Sequence, residues 1–135
     1  MNNQIEIIYE GHLRTKATHL SSGSEILTDA PVDNQGKGEK FSPTDLIASA
    51  LGSCILTIMG ITAKVQNINI EGTKARVEKI MGQSPRKISQ VNIEIIFATT
   101  ISDKHKTILE RAARHCPVAK TLQNNIEENI KFIYP

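Results

Sequence analysis

The run Phe41-Ser-Pro-Thr-Asp-Leu-Ile-Ala-Ser-Ala-Leu-Gly-Ser-Cys54, continuing as Ile55-Leu-Thr-Ile-Met-Gly-Ile-Thr-Ala-Lys64, decides the architecture of this chain. Ser42 is an N-cap residue, Pro43 suits the first helical position and Asp45 completes an acidic capping box, so a helix starts here and runs to about Lys64. Leu46 to Ala63 holds 18 residues without a charge, near the lower limit for a membrane span. Ser49, Gly52, Ser53, Thr57, Gly60 and Thr62 are small and allow close packing, and the flanks read as ordinary alternating strands. The expectation is a core helix, apolar on nearly every face, that other structure or another subunit must enclose.

Before the helix, Ile5 to Thr18 alternates Ile, Tyr, Leu and Thr with polar residues and reads as two strands turning at Glu10-Gly11. Ser21-Ser22-Gly23 is a second turn, followed by a short strand from Ser24 to Thr28. Asp29 to Lys40 is turn chemistry throughout and reads as a surface loop, of a length that is often functional. After the helix, strands are expected at Ile68 to Glu71, Ala75 to Met81 and Val91 to Thr99. In the last, Val91, Ile93, Ile95 and Phe97 share one face, and Ser84-Pro85-Arg86 supplies a hairpin connection. A second helix starts at Asp103 with Ile108, Leu109 and Ala112 on one face, and Pro117 breaks it near His115. A last strand, Ile130 to Tyr134, closes an α+β chain of a single domain, residues 1–135.

With 135 residues, 22% charged and a formal net charge of +2, the chain suits one domain and carries no basic stripe, so nucleic acid is not an expected partner. The start, Met-Asn-Asn-Gln-Ile-Glu-Ile-Ile-Tyr-Glu, lacks a secretory pattern, and the expected location is cytoplasmic, with no membrane partner. In a reducing compartment the two cysteines, Cys54 and Cys116, are thiols, redox centres or ligands before they are a structural staple. His115 and Cys116, with Cys54, His19 and His12, can be drawn as a zinc site, but the spacing matches no common zinc motif. No metal or organic cofactor is expected.

Phe41 to Cys54, followed 62 positions after Cys54 by Cys116-Pro117-Val118, resembles the osmotically inducible protein C and organic hydroperoxide resistance family. The resemblance covers essentially the whole chain and implies an OsmC-like fold: antiparallel sheets around a long buried central helix, in an intertwined homodimer with active sites at the subunit interface. It implies a cysteine-dependent thiol peroxidase, with Cys54 peroxidatic, Cys116 resolving and Arg14, on an early strand, holding the thiolate. The partners implied are a small-molecule hydroperoxide and a thiol or dithiol reductant. The hydroperoxide resistance branch has a Glu directly after the helix-start Pro to partner that arginine, whereas this chain has Thr44; Asp45 and Glu39 are the candidate substitutes.

The chemistry follows from those residue types. A free thiol titrates near 8.5 and only its thiolate is nucleophilic, so a guanidinium that stays protonated is a fitting partner for Cys54. If Pro117 opens a helical turn, Cys116 stands at its N-terminus, where the dipole favours a thiolate. Leu51, Ile55 and Ile58 beside Cys54 suit an organic hydroperoxide better than hydrogen peroxide. Two other classes stay open: a module binding a small hydrophobic ligand, and a thiol–disulfide redox sensor with little peroxidase activity.

Overall fold

The computed structural model describes residues 3–135. The chain divides into two compact units, Met1–Leu46 and Ile47–Pro135. The first is an antiparallel meander of β1 (Ile5–Gly11), β2 (Arg14–His19) and β3 (Glu25–Asp29). The β1–β2 turn lies at His12-Leu13, two residues beyond the expected Glu10-Gly11. Gly11 pairs with Arg14, and both turn residues take positive φ, 53° and 63°. A register shift between Tyr9 and Gly11 explains the difference: the glycine, at φ 89°, serves an irregularity at the strand end, and the tight turn follows it.

Residues 30–40 form the expected loop, with one 3₁₀ turn at Val32–Asn34. Gly36 has no substitute there, because a Cβ would lie 1.7 Å from the Ala30 carbonyl oxygen. The loop returns to the sheet where the Asp29 N–H donates to the Phe41 carbonyl at 3.0 Å.

The helix α1 (Pro43–Gln66) starts as its sequence requires. The Asp45 N–H donates to Ser42 Oγ at 3.0 Å and the Ser42 N–H donates to Asp45 Oδ2 at 2.9 Å, a reciprocal box. Within the second unit, α1 lies with β4 (Lys74–Gly82), β5 (Lys87–Ile96), α2 (Asp103–Ala113), α3 (Pro117–Leu122) and β6 (Glu127–Ile133). The sheet order is β4-β5-β6, with β4 antiparallel and β6 parallel to β5. A parallel neighbour needs a crossover, which α2 and α3 provide.

Val91, Ile93 and Ile95 of β5, each 1% exposed or less, meet Leu51, Ile55 and Met59 of α1 and Leu109 and Ala113 of α2 in one core. The α+β class and the β5 alternation are as read from the sequence. The expected strand at Ile68 to Glu71 is instead a loop. The Ile68 N–H closes the end of α1 by donating to the Ala63 carbonyl at 2.8 Å, Asn67 is left-handed, and Asn69 Oδ1 accepts from the Glu71 N–H. Local bonds of this kind take the backbone groups a ladder would use. Pro117 does break the helix, leaving Arg114 to Cys116 between α2 and α3.

α1 is long and apolar enough to cross a membrane by length and composition. Its Leu51, Gly52, Ile55, Met59 and Ala63 stripe is nevertheless packed in the core, while Ile47, Ile61 and Val65 on the other side are exposed. At Gly52 the helix lies close against the sheet: a Cβ there would meet Val77 Cγ2 at 2.8 Å. Gly52→Ala is therefore expected to cost about 1–3 kcal/mol through overpacking, despite the better helix propensity of alanine, as read from urea unfolding midpoints.

Candidate functional site

Two clusters hold the residues singled out by the sequence, one in each unit. In the second unit the fold brings the two cysteines together. Cys54 sits on α1 beside the buried stripe and is partly exposed; Cys116 is fully buried in the core. Both are free thiols, and Cys54 is near enough to act on the Cys116 thiol. The chain break at Pro117 produces this placement, since it ends α2 and turns Cys116 back towards α1 as the N-cap of α3.

The Ala119 N–H donates to Cys116 Sγ at 3.3 Å, which favours a thiolate as expected. Burial outweighs it. Loss of solvent above all, with Cys54 and Glu128 close by, pushes the Cys116 thiol from 9.0 up to about 11. The expectation of a stabilised Cys116 thiolate is thus reversed: at neutral pH this sulfur keeps its proton.

Glu128 was not a candidate from the sequence. It occupies an inward phase of β6, where Ile126, Ile130 and Phe132 pack on the core. Burial holds its carboxyl above the usual range, and the charge of Arg114 pulls it partly back. The signal was available as an acidic residue interrupting an alternating apolar row.

In the first unit, Arg14 and Asp29 are cross-strand partners in the β2–β3 ladder. Asp29 is buried at 1% exposure, and its two carboxylate oxygens accept from Arg14 Nε at 2.7 Å and Nη2 at 2.8 Å. Glu39 Oε1 accepts a further bond from Nη2 at 3.1 Å. The bidentate pair drives the Asp29 carboxyl below its ordinary range and raises the guanidinium further, so both stay charged. Of the two substitutes for the missing family glutamate, Glu39 is the one that reaches Arg14, while Asp45 is occupied as a helix cap. Thr44 hydroxyl pairs with Ser42 Oγ at 3.1 Å. Asp29 escaped the sequence reading because it was assigned to the loop rather than to the last rung of β3.

Among the described residues no three His, Cys, Asp or Glu side chains are grouped to hold a metal ion. His115 Nδ1 bonds the Arg111 carbonyl at 2.8 Å, and His19 bonds Ser22 Oγ at 2.6 Å. Two depressions in the second unit, about 450 and 370 Å³, are lined by residues other than the cysteines.

The sequence profile of the family described as OsmC-like protein matches residues 36–131. This chain belongs to the OsmC-like family. The matched region contains Cys54, Cys116 and Glu39, while Arg14 and Asp29 precede it. A protein of Psychrobacter arcticus 273-4, provisionally described as an osmotic stress induced and detoxification response protein, is 49% identical. It superposes with a TM-score of 0.93 over 98% of this chain and 96% of that one. An organic hydroperoxide resistance protein OsmC from Legionella pneumophila shares the fold at 16% identity, TM-score 0.77, over 98% and 97% of the two chains. An uncharacterized protein of Methanocaldococcus jannaschii is 30% identical over 100 residues, 70% of this chain; the match spans 53% of that protein, so the chain accounts for about half its length.

The Cys116 shift has a consequence for stability. A pKa raised on folding stabilises the reduced fold fully below the unfolded thiol value, and the contribution is lost as pH rises through about 11. Urea midpoints of the reduced protein are expected to fall between pH 8 and 11 more steeply than those of Cys116→Ala.

Proposed function

We propose that this OsmC-like protein is a cysteine-dependent thiol peroxidase acting on organic hydroperoxides. The observation that carries the reading is the proximity of a partly exposed Cys54 to a buried, protonated Cys116. Family membership supports a redox role linked to peroxides. The Legionella pneumophila and Bacillus subtilis proteins of the same fold are described as organic hydroperoxide resistance proteins.

In the proposed cycle the Cys54 thiolate attacks the distal peroxide oxygen. The O–O bond breaks, Cys54 becomes a sulfenic acid and the alkoxide takes a proton to leave as an alcohol. Cys116 then attacks the Cys54 sulfur. Its proton and the sulfenic hydroxyl leave together as water, and a Cys54–Cys116 disulfide remains. An external thiol or dithiol returns two electrons and two protons. Arg14 is given the role of holding the thiolate and polarising the peroxide. The location we assign is cytoplasmic, where reductants of this class are abundant.

Mixing the reduced protein with one equivalent of cumene hydroperoxide is expected to remove both thiols and give a Cys54–Cys116 disulfide by mass spectrometry, with a slower response to hydrogen peroxide. Cys54→Ser is expected to abolish the reaction. Thiols that survive excess peroxide defeat the proposal, and ready exchange with disulfides in their place would favour the redox sensor.

We also propose that the working form is a homodimer. One face of the β1–β3 sheet carries Ile5, Ile7, Tyr9 and Ile26, all 49% exposed or more, and α1 exposes Ile61 and Val65. Covering each such side chain is worth about 1.5–3 kcal/mol, enough in sum to favour association of two copies. Light scattering is expected to give twice the 14.9 kDa chain mass, and Ile7→Asp to shift the population to monomer. A monomeric wild-type protein at micromolar concentration would refute this part.

A further inference from the structure

Arg14 is gripped along one edge of its guanidinium. Asp29 takes Nε and one Nη2 hydrogen, and Glu39 takes the other. Among the described residues, Nη1 has no hydrogen-bond partner. The two carboxylates are not equivalent. Asp29 is buried and takes two bonds from Arg14, and the backbone amides of Glu39 and Lys40 in the loop add to the lowering of its carboxyl. Glu39 has a side chain 63% exposed and makes a single bond. An exposed ion pair of the second kind fixes little, whereas a bidentate pair to a buried carboxylate fixes both the distance and the plane of the fork.

The same carboxylate ties the loop of residues 30–40 to the strand end. That loop has little freedom of its own at Gly36, whose absent side chain leaves just enough room for Ala30. Every member of this arrangement belongs to the first unit, and none depends on the residue after the helix-start proline.

We propose that Asp29 is the positioning residue for Arg14: it holds the Nε–Nη2 edge and the loop together and leaves the Nη1 edge free for chemistry, with Glu39 an accessory. The inference rests on the proposed role of Arg14 towards the Cys54 thiolate. It assigns to a strand-end aspartate the work that the glutamate after the helix-start proline does in the hydroperoxide resistance branch, where this chain has Thr44.

The test uses full-length protein carrying Cys116→Ser, so that Cys54 is the only thiol. The rate of its loss to cumene hydroperoxide and the pH profile of its alkylation by iodoacetamide are measured with Asp29→Asn, Glu39→Gln and Arg14→Lys. Asp29→Asn keeps the shape, removes the charge and turns an N–H towards the guanidinium. It is expected to slow the peroxide reaction on the order of 10- to 100-fold, the size of effect produced by misplacing a reacting group, and to move the alkylation midpoint upward. Glu39→Gln is expected to stay within about fivefold of the parent. Adding Asp29→Asn to Arg14→Lys is expected to cost little more, because both act through one guanidinium.

A parent-like rate in Asp29→Asn beside a slow Arg14→Lys overturns this inference alone. Parent-like behaviour in Arg14→Lys overturns the role of Arg14 and this inference with it. A faster reaction or a lower midpoint in Asp29→Asn would show that the carboxylate screens the guanidinium, and also overturns the proposal. Circular dichroism checks the fold; if Asp29→Asn does not fold, Asp29→Glu keeps the charge and displaces it by one methylene. A similar loss is then expected, and parent-like kinetics would refute the assignment.

Discussion

The packing of Leu51, Ile55 and Met59 against Val91, Ile93 and Ile95 is the contact on which the second unit depends. These side chains are at most 1% exposed, and together they fix how α1 lies on the sheet. Gly52 allows a close approach, since a Cβ there would lie 2.8 Å from Val77 Cγ2. Once that stripe is committed to the core, Cys54 has no freedom of placement. It stands two residues after Gly52 and one before Ile55, at the margin between the buried stripe and the exposed face. Its partial exposure follows from helix geometry rather than from any local feature of the cysteine.

Cys116 arrives by a different constraint. The parallel pairing of β6 with β5 demands a crossover, and α2 must end before the chain can return. Pro117 ends it, Cys116 caps the next turn, and the sulfur falls into the core beside Leu109 and Ala113. A residue selected only for capping would more often be Ser, Asp or Asn. A sulfur here accepts the Ala119 amide and still tolerates a dry environment, which a carboxylate would not.

Much of this was legible in the sequence because it is written in local terms. The Ser42-Pro43-Asp45 cap, the β5 alternation and the break at Pro117 each involve residues a few positions apart, and each is present. The features that were not legible depend on register or burial. Whether Gly11 makes the turn or a strand-end irregularity depends on which residue faces Arg14. Whether Asp29 belongs to a loop or a strand depends on the same ladder. The sign of the Cys116 shift required weighing a cap bond against desolvation, and only the packed core shows that desolvation is larger. Ile68 to Glu71 carries strand-forming residues, yet side-chain bonds from Asn69 and Thr73 hold it as a loop.

The protonated state of Cys116 bears on how the proposed cycle is ordered. Burial makes Cys116 the sulfur that keeps its proton at neutral pH. In the proposed cycle peroxide therefore meets the more accessible Cys54 first. Oxidation in that cycle makes the Cys54 sulfur electrophilic, and the Cys116 proton is needed at that moment to carry away the sulfenic hydroxyl as water. A Cys116 thiolate present from the outset would compete for the peroxide. On the proposed function, the high thiol pKa at Cys116 is therefore a means of keeping the second step from preceding the first.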